Sequence, residues 1–149
     1  MQEWKLLSEP ILYLSAYFEA NRQEYYDSLL AVSQTGDWEG WLLYFLEGVR
    51  SQALEVAERI EKLKLLREEL GKRVRDDRSS DNLFAVIDFL FGNPIASIRQ
   101  VQEGIGWRSY KTAQRSIYRL EKMGIVREIT ARARDRLYQA DEILEVIQG

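Results

Sequence analysis

The sequence predicts a mainly α protein: a helical bundle segment with a long helix, then a small domain of three helices and a β-hairpin. Two observations carry this. Apolar residues recur at helical spacing over most of the chain, from Leu12 to Leu120. Two β-rich runs, IVREIT and RLYQA, fall together near the C-terminus on either side of the polar segment ARARD.

The elements follow in order. Ser8 is a candidate N-cap ahead of Pro10 at a helix start, and Leu12, Tyr13, Ala16 and Tyr17 mark its face. A second helix is expected over Gln23–Ser33, burying Tyr26, Leu29 and Leu30. Gly36 suits a left-handed helix end, and Asp37 suits the next N-cap. From Trp38 the helical pattern runs to about Asp76, with Gly48 as its one weak point. Its apolar stripe fits either a long connector or a dimer-forming helical hairpin. The segment RDDRSSDN has no apolar residue and reads as a linker. It divides the chain into residues 1–78 and 79–149.

Beyond it, Leu83, Phe84, Ile87, Leu90 and Phe91 mark one apolar helix, stopped by Gly92, Asn93 and Pro94. Ser97 caps a short second helix with Ile98 and Val101 inward, and Gly104 and Gly106 supply a turn. A third helix carries an inward stripe of Tyr110, Ala113, Ile117 and Leu120, and Gly124 ends it. The hairpin follows, and DEILEVIQG forms a last short helix. Three helices, a short turn between the second and third, and a basic-tipped hairpin are in winged helix-turn-helix order.

Composition narrows the chemistry. Among 149 residues there is no cysteine and no histidine. Disulfides, thiolate nucleophiles and thiolate metal sites are therefore excluded, and so are the usual general base near neutral pH and the commonest metal ligand. Nothing in the sequence supplies a catalytic site, and no metal or cofactor is implied. No apolar run reaches the roughly 18 residues that read as a membrane span, and no signal-peptide pattern is present, so a bacterial, cytoplasmic protein is expected.

The net charge is −3, yet it is unevenly placed. Between Ile95 and Arg136, ten basic residues face only four acidic ones. A polyanion responds to such a local field rather than to the whole-chain balance. On the third helix Lys111, Gln114, Arg115, Tyr118 and Arg119 lie opposite the inward stripe. Arg and Gln fork onto purine edges in the major groove, while Lys and Tyr hold phosphates. Arg108, just before that helix, is a candidate phosphate contact, and neighbouring Trp107 a packing residue. Arg132, Arg134 and Arg136 alternate along the wing, within reach of the DNA backbone or minor groove. A solvated basic face is the plainer reading of the same residues.

The first half contains LSEPILYLSAYFEANRQEYYDSLLAVSQTGDWEGWLLYFLEGV. This closely resembles the segment that follows the active-site motif in Fic-family (Fic/DOC) proteins. The resemblance rests on Pro10, Tyr13, Leu14, Ser15, Tyr17, Phe18 and Glu19, on the pair Tyr25 and Tyr26, and on Gly36, Asp37, Trp38 and Trp41. It continues through Phe45, Leu46, Gly48 and Val49. Longer members of the family continue through a long helix into a C-terminal winged helix, which SYKTAQRSIYRLEKMGIVREITARARDRLYQADEIL also resembles. The family's enzymes transfer AMP from ATP to a hydroxyl of a target protein, using a histidine-led HPFxxGNGRxxR motif. The resemblance places that motif before Leu7, and this chain holds no histidine to supply it. It implies a truncated product or a stand-alone descendant that keeps the regulatory half, with apolar faces left where the catalytic bundle would pack. Trp4, Leu7, Leu12, Tyr13 and the ridge from Trp38 to Phe45 are candidates, and self-association would cover them.

The expectation is a non-catalytic, double-stranded-DNA-binding regulator acting as a homodimer. The alternative is a protein-interaction module serving a Fic catalytic domain.

Overall fold

A computed structural model describes residues 14–130 and 135–148. In order these form α1 (Leu14–Ala20), α2 (Arg22–Thr35), α3 (Trp38–Val74), α4 (Ser80–Gly92), β1 (Ile95–Ser97), α5 (Ile98–Ile105), α6 (Tyr110–Lys122), β2 (Arg127–Glu128), β3 (Leu137–Gln139) and α7 (Asp141–Gln148). The described residues are mainly helical, with one small antiparallel sheet among them. The expected cap at Ser8 and Pro10, and the face positions Leu12 and Tyr13, lie outside the described residues. No described helix is long and apolar enough to cross a membrane.

The chain divides into two compact units, Met1–Ile60 and Glu61–Gly149, so the long helix contributes to both. This division falls earlier than the compositional linker at residue 78, for a physical reason. Leu66, Leu70 and Val74 on the last turns of α3 are buried in the core of the second unit. The first five residues of RDDRSSDN form a tight turn inside that unit, and the last three are the first turn of α4. Asp77 N–H bonds to the Val74 carbonyl, Ser80 N–H to the Asp77 carbonyl, and Asp77 Oδ1 accepts from Ser79 N–H at 2.7 Å.

In the first unit the core is aromatic. Phe18 stacks on Tyr25 and Tyr44 at ring separations of 5.1 and 5.9 Å, and Trp41 and Phe45 tilt against it. Gly48 is not simply a weak point in α3. It is buried against the Tyr17 ring, where a Cβ would stand 2.8 Å from Cδ1, so α1 approaches through the missing side chain. Gly36 takes the left-handed conformation (φ 70°) that ends α2, and Asp37 Oδ1 accepts from Gly40 N–H at 2.9 Å to cap α3. The expected buried face of α2 is corrected. Tyr26 and Leu30 are each 52% exposed and Leu29 is exposed too, whereas Tyr25, Ser28, Ala31 and Val32 are the half-buried positions. The helical period is right, but the face is turned toward Phe18.

In the second unit α4, α5 and α6 pack around Leu83, Val86, Leu90, Val101, Ile117 and Leu120, all fully buried. The sheet order is β1-β3-β2, with both pairings antiparallel. β2 and β3 are the expected hairpin. β1 was not foreseen, because its three residues gain their partner only from Leu137–Gln139, some forty positions away. Ser97 ends β1 and starts α5 with a full capping box. Its Oγ accepts from Gln100 N–H, and its own N–H bonds to Gln100 Oε1 at 2.9 Å. The stripe of α6 is corrected at one position. Tyr110 is exposed, and Ser116 is buried instead, with its hydroxyl donating to the Thr112 carbonyl at 3.0 Å.

Gly104 marks the tightest approach. A Cβ there would lie 2.1 Å from Cε2 of Phe89, so α4 and α5 meet where a side chain is missing. Gly104→Ala is therefore expected to lower stability by about 1–3 kcal/mol through overpacking, exceeding the helix-propensity gain of about 1 kcal/mol. Chemical denaturation measures it, and an unchanged or raised midpoint would contradict this packing.

Candidate nucleic-acid interface

The surface in question is built on α6. Ala113, Ser116, Ile117 and Leu120 fix one side of the helix in the core, which orients the rest outward. Two adjacent stripes result. Tyr110, Gln114 and Tyr118 face a groove of about 450 Å³ that is also lined by Arg99 of α5 and by Asp135 and Arg136 at the end of the hairpin tip. Lys111, Arg115 and Arg119 run beside them at successive helical turns.

The predicted residues behave differently from one another. Arg108, in the turn before α6, and Lys111 and Arg115 on its first two turns are exposed, with no carboxylate within ion-pair distance among the described residues. Gln114 is half-buried, and its Nε2 donates to the Tyr118 hydroxyl at 3.3 Å. Tyr118 also packs against the core and against the buried Tyr138 ring at 6.4 Å. Arg119 is committed inside the unit. Its Nε pairs with Asp77 at 3.0 Å, and its Nη1 donates to Ser79 Oγ at 3.2 Å. The Asp77 side chain is only 9% exposed, so this pair ties α6 to the turn between α3 and α4. Arg136 pairs with Glu128 at 3.3 Å across the hairpin. Arg132 and Arg134 lie outside the described residues.

Arg99 is the residue missed. It belongs to the basic stretch, but the contact surface drawn from sequence left it out. Its position after the Ser97 cap places it on the exposed first turn of α5, facing the same groove as Gln114. The available signal was the cap itself, which fixes which α5 residues turn outward. Asp135 at the tip has a positive φ of 52°, a conformation that aspartate tolerates better than most residues.

Chemically, this surface offers guanidinium and ammonium groups for phosphate, together with one oriented side-chain amide. Among the described residues, no cluster of three or more acidic, cysteine or histidine side chains is placed to hold a metal. No protein-family model matches the chain.

Beneath the surface, burial pushes the Tyr138 phenol up to about 12, with Tyr118 adding to the shift. The unfolded phenol titrates near 10, so the contribution is complete below pH about 10 and is lost as pH rises towards 12. Melting curves across that window are expected to show about 2–3 kcal/mol more alkaline loss for the natural chain than for Tyr138→Phe. Equal losses would remove Tyr138 as the cause.

Proposed function

We propose that this chain is a non-catalytic, DNA-binding regulatory part of a Fic-family protein, and that its second unit is a winged helix-turn-helix acting in a homodimer. α5 and α6 are the helix pair, α6 enters the major groove, and the β2–β3 hairpin is the wing. The observation that carries the reading is the pair of stripes on α6: exposed Lys111 and Arg115 beside the groove-lining Gln114. Cations at that position hold phosphates, Arg115 being assigned here to the backbone rather than to the purine edge that an arginine can also read, and an amide beside them reads a base edge. Arg108 and Arg99 extend the phosphate-binding rim, and Arg132 and Arg134 would add the wing's contacts. Arg119 acts by holding α6 in place. The Fic assignment rests on the tyrosine-rich and GDW stretches of the first half. The absence of histidine supports a role without AMP transfer.

A second reading is a winged-helix protein-interaction module serving a Fic AMP-transferase. It is favoured by the internal ion pairs of Arg119 and Arg136, which reduce the cationic surface open to DNA. Fluorescence anisotropy with a labelled random duplex tests the first reading. Binding at low salt that falls when Lys111→Ala and Arg115→Ala are combined supports it. Absence of binding, with capture of a separate Fic catalytic domain, would replace it with the second.

A further inference from the structure

α6 is bordered by a cleft on each side. At about 100° per residue, Lys111 and Arg115 form its outer ridge, opposite the buried Ala113, Ile117 and Leu120. Tyr110, Gln114 and Tyr118 lie to one side of that ridge and line the groove shared with Arg99 of α5. Thr112, Ser116 and Arg119 lie to the other side. Together with Arg115, and with Ser79 and Asn82 at the start of α4, they line a second cleft of about 180 Å³. The segment RDDRSSDN thus supplies one wall of this cleft, although its composition reads as a linker.

The second cleft offers hydrogen-bond donors and no open negative charge in its lining. Among the described residues, the Asn82 amide and the Thr112 hydroxyl make no hydrogen bond, and Arg115 is exposed without a carboxylate partner. Ser79 Oγ accepts from Arg119 Nη1 at 3.2 Å, which leaves its own hydroxyl hydrogen to donate. Asp77, paired with Arg119 at 3.0 Å, has a side chain only 9% exposed, so its charge is neutralised from within. Asp81 stands about 100° around α4 from Asn82 and does not line the cleft. One cation and three neutral donors suit an anion with several oxygens, such as a phosphate.

The position of the cleft identifies the source of that phosphate. A helix with its side chains is about 10–12 Å across, and the major groove is about 12 Å wide. A helix seated there has a phosphate strand against each flank, and the two clefts occupy the two flanks of α6. We propose that the cleft between α6 and the start of α4 seats a backbone phosphate of duplex DNA. Arg115, Asn82, Thr112 and Ser79 hold it, while the other strand passes Arg99. Arg119 fixes the wall through Asp77 and Ser79 and makes no contact with the phosphate. This rests on the DNA-binding reading above and adds where each strand runs.

Asn82→Asp and Asn93→Asp add the same charge at opposite ends of α4, and both positions are exposed, so the fold is kept. They stand about 16 Å apart along the helix, beyond the screening length of about 10 Å at 0.1 M salt. At that salt, Asn82→Asp is expected to weaken binding of a labelled duplex about tenfold, and Asn93→Asp less than about twofold. Equal effects of the two, on a chain that Lys111→Ala still weakens, would overturn the cleft alone. No binding by the natural chain would remove the DNA reading and the cleft with it. On a selected duplex, replacing single phosphates by neutral methylphosphonate locates the contacts. The Asn82→Asp effect is expected to vanish at one phosphate, and the Arg99→Ala effect at a phosphate of the opposite strand. Both vanishing on the same strand would overturn the proposal. An Asn82→Asp effect that survives every replacement would assign the cleft to a free anion and overturn it too.

Discussion

A fragment beginning at Ser79, where composition places the boundary, is expected to remain unfolded, whereas a fragment beginning at Glu61 folds. The difference is Leu66, Leu70 and Val74. Leu70 and Val74 are 1% and 0% exposed, and all three belong to the same core as Leu83, Ile117 and Ile143. Burying a leucine or valine contributes about 1.5–3 kcal/mol, so three of them approach the whole 5–15 kcal/mol typical of a domain. Removing α3 also removes Arg73, whose guanidinium grips Glu142 of α7 at 2.6 Å, and Arg67, which pairs with Asp88 of α4. Those pairs are solvent-exposed and contribute little beside the core. Circular dichroism and thermal melting of the two fragments check this. Cooperative melting of the shorter fragment near the midpoint of the longer one would show that α3 is dispensable.

The second large effect concerns how α6 divides its work. Lys111→Ala and Arg115→Ala are expected to weaken binding to every duplex by similar factors, because a phosphate contact carries no sequence information. Gln114→Ala is expected to act differently. It should cost about 1–3 kcal/mol at a preferred site, some five- to 150-fold, and much less elsewhere, since a side-chain amide paired to adenine discriminates between bases. The Tyr118 hydroxyl that receives the Gln114 amide at 3.3 Å orients it, so Tyr118→Phe should reproduce part of the loss. Selection from a random duplex pool, followed by anisotropy on the selected and scrambled sites, reads both classes. Equal effects of Gln114→Ala and Lys111→Ala on all sites would contradict this division.

Local signals were legible in the sequence, and distant ones were not. Gly36 with Asp37, and the cap at Ser97, were readable because the hydrogen bonds involved span only a few residues. The hairpin pair β2 and β3 was readable for the same reason. β1 was not, since three residues gain strand character only from a distant partner. The exposed face of α2 was misplaced because Tyr25 and Tyr26 are adjacent aromatics, and only the position of Phe18 decides which turns inward. On α6 the period identified Ala113, Ile117 and Leu120, but Tyr110 lies outside the packed length of the helix. The role of Arg119 depends on Asp77, forty-two residues earlier, in a turn that composition presents as a solvated linker. The candidate surface was thus visible as a concentration of charge. The division between cations that face outward and cations that hold the fold was not.

If the α6 surface binds duplex DNA as proposed, the affinity must depend on salt through its phosphate contacts. Binding of the natural chain to a random duplex, measured from 50 to 300 mM salt, is expected to weaken linearly on a double-logarithmic plot. The slope should become shallower by about 1 for each of Lys111→Ala and Arg115→Ala. Undetectable binding at the lowest salt, or a slope unchanged by both substitutions, would contradict it.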